Sequence, residues 1–314
     1  MPRKYKYLSG PVRSRRLGRS LEVNLAPFKT CALNCVFCQL GRTTHKTVAR
    51  KEYVPVKNVK AELARWVKGG GQTDYITLSG SGEPTLHTRF GEVLGFIRER
   101  TPFPAVLLSN GTLFTMPEVR KAACQANIVK LSLSAWNQDS FEHINRPHAG
   151  LKFGQMMDGY RAFRDEFRGK LWIEVFLLWG MNSIPREVEE IAELVGIIKP
   201  DAIHLNTAVR PPAEDFAVPV PRKQMEAMAG IFHPRARIVA EFSSDKTAEI
   251  AANETTILAM LRRRPCTAGQ IADVFGMHLN EVAKYLGKLT RTSAVRVQAK
   301  DHETYYAAVK HTGG

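Results

Sequence analysis

Long apolar runs are missing from this chain. None reaches the roughly 18 residues a membrane-spanning helix needs, so no membrane partner is expected. The opening stretch, MPRKYKYLSGPVRSRRLG, is basic but has no apolar core segment and no small-residue cleavage site, so it does not read as a secretory signal. Cysteine is scarce, with five in 314 residues. Three of them sit within eight positions, which leaves no disulfide framework and points to a reducing cytoplasm. Acidic residues are nearly absent from the first 60 positions: Glu22 and Glu52 stand against 14 Lys and Arg. Internal repeats and low-complexity tracts are absent too, which excludes solenoid and fibrous classes.

What is present is ordinary globular material, 44% hydrophobic and 24% charged, in a length that suits one large domain and one small one. The net charge of +15 lies mostly in the N-terminal 60 residues, with a smaller basic excess after residue 252. Such an asymmetry attracts anionic partners, nucleic acid foremost, or else solvates a surface. SLEVNLA, DYITLSG, AVLLSN, IVKLSLS, LWIEVFLLWG and AIHLNTA read as six strands. Helical patterns lie between them near 57–69, 88–99, 117–125, 153–168 and 185–197. Strict alternation implies an α/β domain with a parallel sheet, and six units leave either a partial (β/α)6 TIM-like barrel or an open sheet. Most of these strands end in small or polar residues, where parallel architectures hold their ligands. The domain is assigned to residues 1–235, followed by a linker over 236–251. Residues 252–314 then run helix, helix, turn, helix, β-ribbon, the order of a small winged helix-turn-helix domain.

CALNCVFCQ places Cys31, Cys35 and Cys38 on one loop just after the first strand. A structural zinc site wants a fourth protein ligand, and no His or Cys stands obviously ready. Thiolates also suit iron–sulfur clusters, where three would leave one iron open. The Cys-x3-Cys-x2-Cys spacing, with Phe37 inside it, resembles the signature of the radical S-adenosylmethionine (SAM) superfamily. That resemblance implies a [4Fe–4S] cluster held by Cys31, Cys35 and Cys38, with SAM on the open iron. One-electron cleavage of the sulfonium would then give a 5′-deoxyadenosyl radical. It also implies Phe37 against the adenine and Gly80, Gly82 and Glu83 of GSGEP around the SAM amino group. Ser109, Asn110 and Ser132, with Ser134 beside it, would lie near the ribose or carboxylate. Glu174, in an apolar strand, needs a partner if it points inward.

GPVRSRRLGRSLEVNLAPFKTCALNCVFCQLGRTT, SGSGEPTLH, INRPH and LNTAVRPPAE are similar to the group containing the wyosine-forming tRNA enzymes, over roughly residues 10 to 215. The resemblance sets Arg13, Arg15, Arg16, Arg19 and Arg42 around the cluster face. Asn145–His148 is either a turn fixed by Pro147 or a substrate-facing loop. Those enzymes carry a second cluster, and Cys124 and Cys266 cannot build one here, so wyosine chemistry itself is not carried over. In the winged helix, His278, Asn280, Lys284, Lys288 and Arg291 are candidate nucleic-acid contacts, a protein-contact module being the other reading. The expected function is RNA modification by a radical SAM enzyme with an external electron donor. An activating enzyme acting on a protein, or an iron–sulfur transcription regulator, are the alternatives.

Overall fold

Each apolar run bounded by turn residues forms a strand, and each amphipathic stretch a helix. The computed structural model describes residues 5–14, 17–240, 253–263, 265–300 and 303–309. An antiparallel hairpin of β1 (Leu8–Ser14) and β2 (Gly18–Val23) opens the chain. Two short parallel strands, β3 (Thr30–Cys31) and β4 (His45–Lys46), bracket the cysteine loop. Then α1 (Val56–Lys68), β5 (Tyr75–Leu78), α2 (Phe90–Arg100), β6 (Ala105–Ser109), α3 (Pro117–Ala123) and β7 (Ile128–Ser132) alternate. A helix pair, α4 (Gln138–Asn145) and α5 (Phe153–Glu166), leads to β8 (Lys170–Leu177). After it come α6 (Pro185–Ile198), β9 (Ala202–Thr207), α7 (Arg222–Ala229) and β10 (Arg237–Ile238).

The sheet order is β1-β2-β5-β6-β7-β8-β9-β10, parallel at every pairing from β2 onward. Only β1 is antiparallel, so the sheet is mixed and open-ended. All six expected strands are present. Two features depart from the sequence expectation. Residues 8–14, in the basic opening stretch and not among the six expected strands, form an edge strand. Arg237–Ile238, placed in a linker, pairs with His204–Leu205 and extends the sheet; residues 241–251 of that linker lie outside the described residues.

Successive strand residues face opposite sides. Leu21, Val23, Ile76, Leu78, Leu107, Leu131, Ile173 and Leu205 pack in the core with Val59, Leu63, Val93 and Val188 of the helices. The alternate face is more polar. Ser20 bonds Thr77 at 2.5 Å, Lys130 pairs with Glu174 at 3.0 Å, and Asn206 donates to Glu174 at 2.7 Å. Glu174 thus has the partners a buried carboxylate requires.

The C-terminal residues form α8 (Glu254–Arg263), β11 (Cys266–Thr267), α9 (Ala268–Phe275), α10 (Leu279–Arg291), β12 (Val295–Lys300) and β13 (Glu303–Ala308). The strands make one antiparallel sheet in the order β11-β13-β12. A capping box between Thr267 and Gln270 starts α9, and Gly276 in the left-handed region ends it. Phe275 meets Trp179 edge-on at 6.1 Å and ties this unit to the larger one.

Candidate functional site

Each sulfur of the cysteine loop has its own N–H donor. Lys29 Nζ donates to Cys38 Sγ at 3.1 Å, Asn110 Nδ2 to Cys31 Sγ at 3.4 Å, and Asn145 Nδ2 to Cys35 Sγ at 3.3 Å. The three donors come from three places: the loop itself, the end of β6 and the end of α4. Lys29 is only 3% exposed and adopts a left-handed φ of 59°, which turns its side chain in beneath the loop. The loop is also pinned by its backbone. Lys29 N donates to Ser81 O, Glu83 N to Thr30 O, Asn34 N to Asn145 O, and His148 N to Ala32 O. Asn145–His148 is therefore a turn packed on the cysteine loop.

Burial pushes the Cys31 thiol up to about 12, with the Glu83 charge adding to it, and burial also pushes Cys35 up. Buried thiols of this kind ionise when a cationic metal centre offsets the desolvation. Among the described residues no three His, Cys, Asp or Glu side chains are placed to hold a single metal ion. Thiolates at the corners of a cluster face a larger object than one ion. With an N–H donor on every sulfur, the donor set fits an iron–sulfur cluster. Cys124, whose Sγ faces Glu166 O at 3.9 Å, and Cys266, buried in the C-terminal unit, take no part.

Gly80 and Gly82 shape the strand end beside this loop. A Cβ on Gly80 would lie 1.9 Å from Asn24 Oδ1, and one on Gly82 would lie 2.3 Å from Thr30 O. Gly80 also has φ +107°, which side-chain-bearing residues rarely adopt. Ser79 Oγ, at the end of β5, is buried with no partner among the described residues. A glycine cradle with an unpaired hydroxyl suits a polar ligand held against backbone.

Glu83 does not behave as the resemblance implies. Its Oε1 accepts from Thr85 N, Thr85 Oγ1 and Ser109 Oγ at 3.0, 2.6 and 2.7 Å, and its Oε2 accepts from Asn110 N at 2.8 Å. The side chain is 3% exposed. It is a buried hub joining two strand ends, not a carboxylate reaching out to an ammonium group. Ser109 is committed to the same hub. Asn110 is held by it and directs its amide at Cys31. Ser132 accepts from Lys130 Nζ at 3.2 Å, and its carbonyl accepts from Tyr160 Oη at 2.7 Å. Ser134 accepts from Phe176 N. Phe37 stacks on Phe176, with centroids 4.1 Å apart.

The arginines divide. Arg13 pairs in register with Arg19, and Arg19 N donates to Asp74 Oδ2 at the amino end of β2, the end of the strand remote from the cysteine loop. Arg15 and Arg16 lie outside the described residues. Of the described members of that set, Arg42 reaches the site, where it and Arg146 grip the Glu214 carboxylate from two sides. Glu214 N also donates to Val36 O, so the segment after β9 folds back over the cysteine loop. Burial raises the Glu214 carboxyl, but hydrogen bonds from Arg42 and Arg146 outweigh it and hold the carboxyl below its ordinary range. Sequence reasoning missed the roles of Lys29, Asn145 and Glu214, although all three lie in the shared stretches that carried the resemblance.

A family profile described as the Radical SAM superfamily matches residues 25–195. A protein of Brachyspira hyodysenteriae called GTPase Obg is 34% identical over 97% of this chain, which spans 45% of that relative's length. A UPF0026 protein of Methanocaldococcus jannaschii is 32% identical over 71% of this chain and 70% of its own length. One of Synechocystis sp. is 37% identical over 64% and 75%. Among solved structures, a radical SAM methyltransferase from Sphaerobacter thermophilus superposes with a TM-score of 0.53 at 19% identity, over 72% of this chain and 67% of that one. Streptococcus suis SuiB bound to S-adenosylmethionine gives 0.51 at 16%, over 71% and 48%. These two show a shared fold.

Proposed function

Since the chain belongs to the radical SAM superfamily and, within it, to the UPF0026 proteins, whose cofactors are a [4Fe–4S] cluster and SAM, we propose that it is a radical SAM enzyme acting on RNA. The observation that carries the first half is the single N–H donor on each of three clustered thiols. When bound, the cofactor pair supplies one-electron cleavage of the sulfonium and hence a hydrogen-abstracting radical. The chain's own residues do the rest. Cys31, Cys35 and Cys38 would hold the cluster, with Lys29, Asn110 and Asn145 stabilising the thiolate charge. Gly80 and Gly82 would let SAM approach the backbone, Ser79 would offer a hydroxyl, and Phe37 and Ser132 would line the SAM site. Glu83 sets the geometry of the strand ends from behind.

The RNA half rests on the basic charge of the chain, the likeness to the wyosine-forming group and the C-terminal unit, read as a winged helix. Of its candidate contacts, His278 caps α10 through Asn280 N and Lys288 pairs with Glu254, while the exposed Asn280, Lys284 and Arg291 side chains make no hydrogen bond among the described residues and would meet phosphates. The test is 5′-deoxyadenosine release under a strong reductant, with iron content measured for every variant. Wild type should hold about four irons per chain and release the product, and Cys35→Ala should release none. Wild type with a full cluster and no release overturns the enzyme reading. For RNA, deleting residues 252–314 should weaken binding, and wild-type affinity should fall steeply with salt. Equal affinities of the two forms overturn the nucleic-acid role of the C-terminal unit.

A further inference from the structure

Three cavities adjoin along α4, between the C-terminal unit and the cysteine loop. The first, about 170 Å³, lies at the start of the helix, between Trp136 and Pro265 of the C-terminal unit. It shares His143 and Met181 with the second, about 390 Å³, which Phe216 and Arg262 help to wall. The second shares Glu142 and Arg146 with the third, about 240 Å³, which reaches Lys152 and Lys46. Lys46 is the register partner of Cys31 in the β3–β4 pair. Singly these cavities hold small groups; in line they suit an extended chain. Four cations line the groove, Lys46, Arg146, Lys152 and Arg262, against two acids, Asp139 and Glu142. Their compensation within the chain is incomplete. Glu214 is shared between Arg146 and Arg42, and the exposed Asp215, which acts on Arg42, lines none of the three cavities. Lys46 Nζ donates to Pro147 O at 3.2 Å, and Lys152 and Arg262 form no ion pair among the described residues. Glu142 accepts from Gln138 Nε2 at 2.7 Å. Trp136 and Phe216, both half-buried, are interleaved with the cations, and the Arg146 guanidinium lies 5.9 Å from the Phe216 ring centre.

We propose that this groove is a track for single-stranded RNA, leading a strand from the C-terminal unit to the edge of the cysteine loop. The inference rests on the RNA reading above and gives it a place and a strandedness. Basic grooves with interleaved aromatic rings hold single strands, because phosphates meet the cations while unpaired bases stack on the rings. A duplex keeps its bases stacked on one another and has none to offer. Arg262 comes from α8, so the track is incomplete without the C-terminal unit. That unit therefore acts beside the cysteine loop as well as through α10.

The experiment uses the full chain and a fluorescein-labelled, mixed-sequence, nine-nucleotide single-stranded RNA, with fluorescence anisotropy read over a salt series. The same sequence is offered as duplex RNA and as single-stranded DNA. Wild type should bind the single-stranded RNA most tightly. Lys152→Ala combined with Arg262→Ala should weaken that binding about tenfold. It should also flatten the slope of log affinity against log salt by about 1.4, as expected for two lost phosphate contacts. Trp136→Leu and Phe216→Leu, which keep an apolar side chain in place, should each weaken binding about fivefold with the slope unchanged. Lys57→Ala combined with Lys121→Ala, which removes two exposed charges from α1 and α3, should match wild type. Unchanged affinity in the groove variants, an equal loss in the α1–α3 variant, or tighter binding of the duplex or the DNA would each overturn the track alone. Wild type that binds no RNA overturns the RNA reading together with it.

Discussion

Glu83→Gln separates two roles that one carboxylate could play. The wild-type side chain accepts four hydrogen bonds from within the chain, three of them on Oε1. Glutamine keeps the shape but turns one oxygen into an NH2 donor. The hydroxyls of Thr85 and Ser109 can rotate away from it, but the backbone N–H of Asn110 or of Thr85 cannot. Whichever way the amide is oriented, one buried backbone donor faces another donor, at a cost of about 1–3 kcal/mol. The remaining bonds lose their charge assistance as well, and together the change should destabilise the fold by roughly 3 kcal/mol. For a domain of this size that lowers Tm by roughly 6–12 °C. Thermal unfolding of the metal-free protein reads the effect without any cofactor. SAM affinity, measured on the reconstituted protein below its transition, should then change little. A Glu83→Gln variant that melts like wild type but binds SAM tenfold or more weakly would refute the hub and restore the carboxylate to the cofactor.

Lys29→Met removes the cation beside Cys38 and should make the cluster harder to reduce, by roughly 60 mV or about 1.4 kcal/mol for one electron; EPR-monitored redox titration checks it, and an unchanged potential refutes it. Gly82→Ala puts a methyl where Thr30 O already lies, so iron incorporation on reconstitution should fall steeply while the far-UV CD spectrum stays close to native. Cys124→Ala and Cys266→Ala should keep full iron content, and iron loss in either would reveal a fourth protein ligand. His87 is buried, and burial holds its imidazole below the ordinary histidine range, with Nε2 against Val54 O and Nδ1 accepting from Arg89 N. The unfolded chain therefore binds a proton that the folded one resists. The His87 contribution is complete above about pH 6.5 and is lost as pH falls below that value toward the lowered folded pKa. A urea midpoint that drops over this range, with the drop reduced in His87→Gln, is the expected result.

Periodicity made the sheet legible, because a parallel strand buried on both faces leaves a short apolar run that little else imitates. It failed where structure depends on a few polar bonds. The helix α4 is eight residues long, and its start is a reciprocal capping box between Asn137 and Ser140, a local device that no hydrophobic repeat announces. Residues 8–14 were not among the expected strands because a largely exposed edge strand leaves no apolar run to read. The cysteine cluster and the glycine-rich strand end stood out in the sequence, since few other chemistries want three thiols or that backbone freedom at such spacing. The groups around them were not. Lys29 is one lysine among many in a basic segment until its backbone turns it under Cys38. Glu83 sits where a ligand-binding acid was expected, yet its partners 26 and 27 residues away claim it first. Asn145 and Glu214 reach the cysteine loop only because α4 and the segment after β9 end there, over chain separations of 110 residues and more. A motif therefore names the atoms that touch a cofactor, while the residues that tune those atoms are chosen by where unrelated strands and helices happen to stop. Substitutions in the second group should change potentials, cluster lifetimes and melting temperatures before they change which reaction is run.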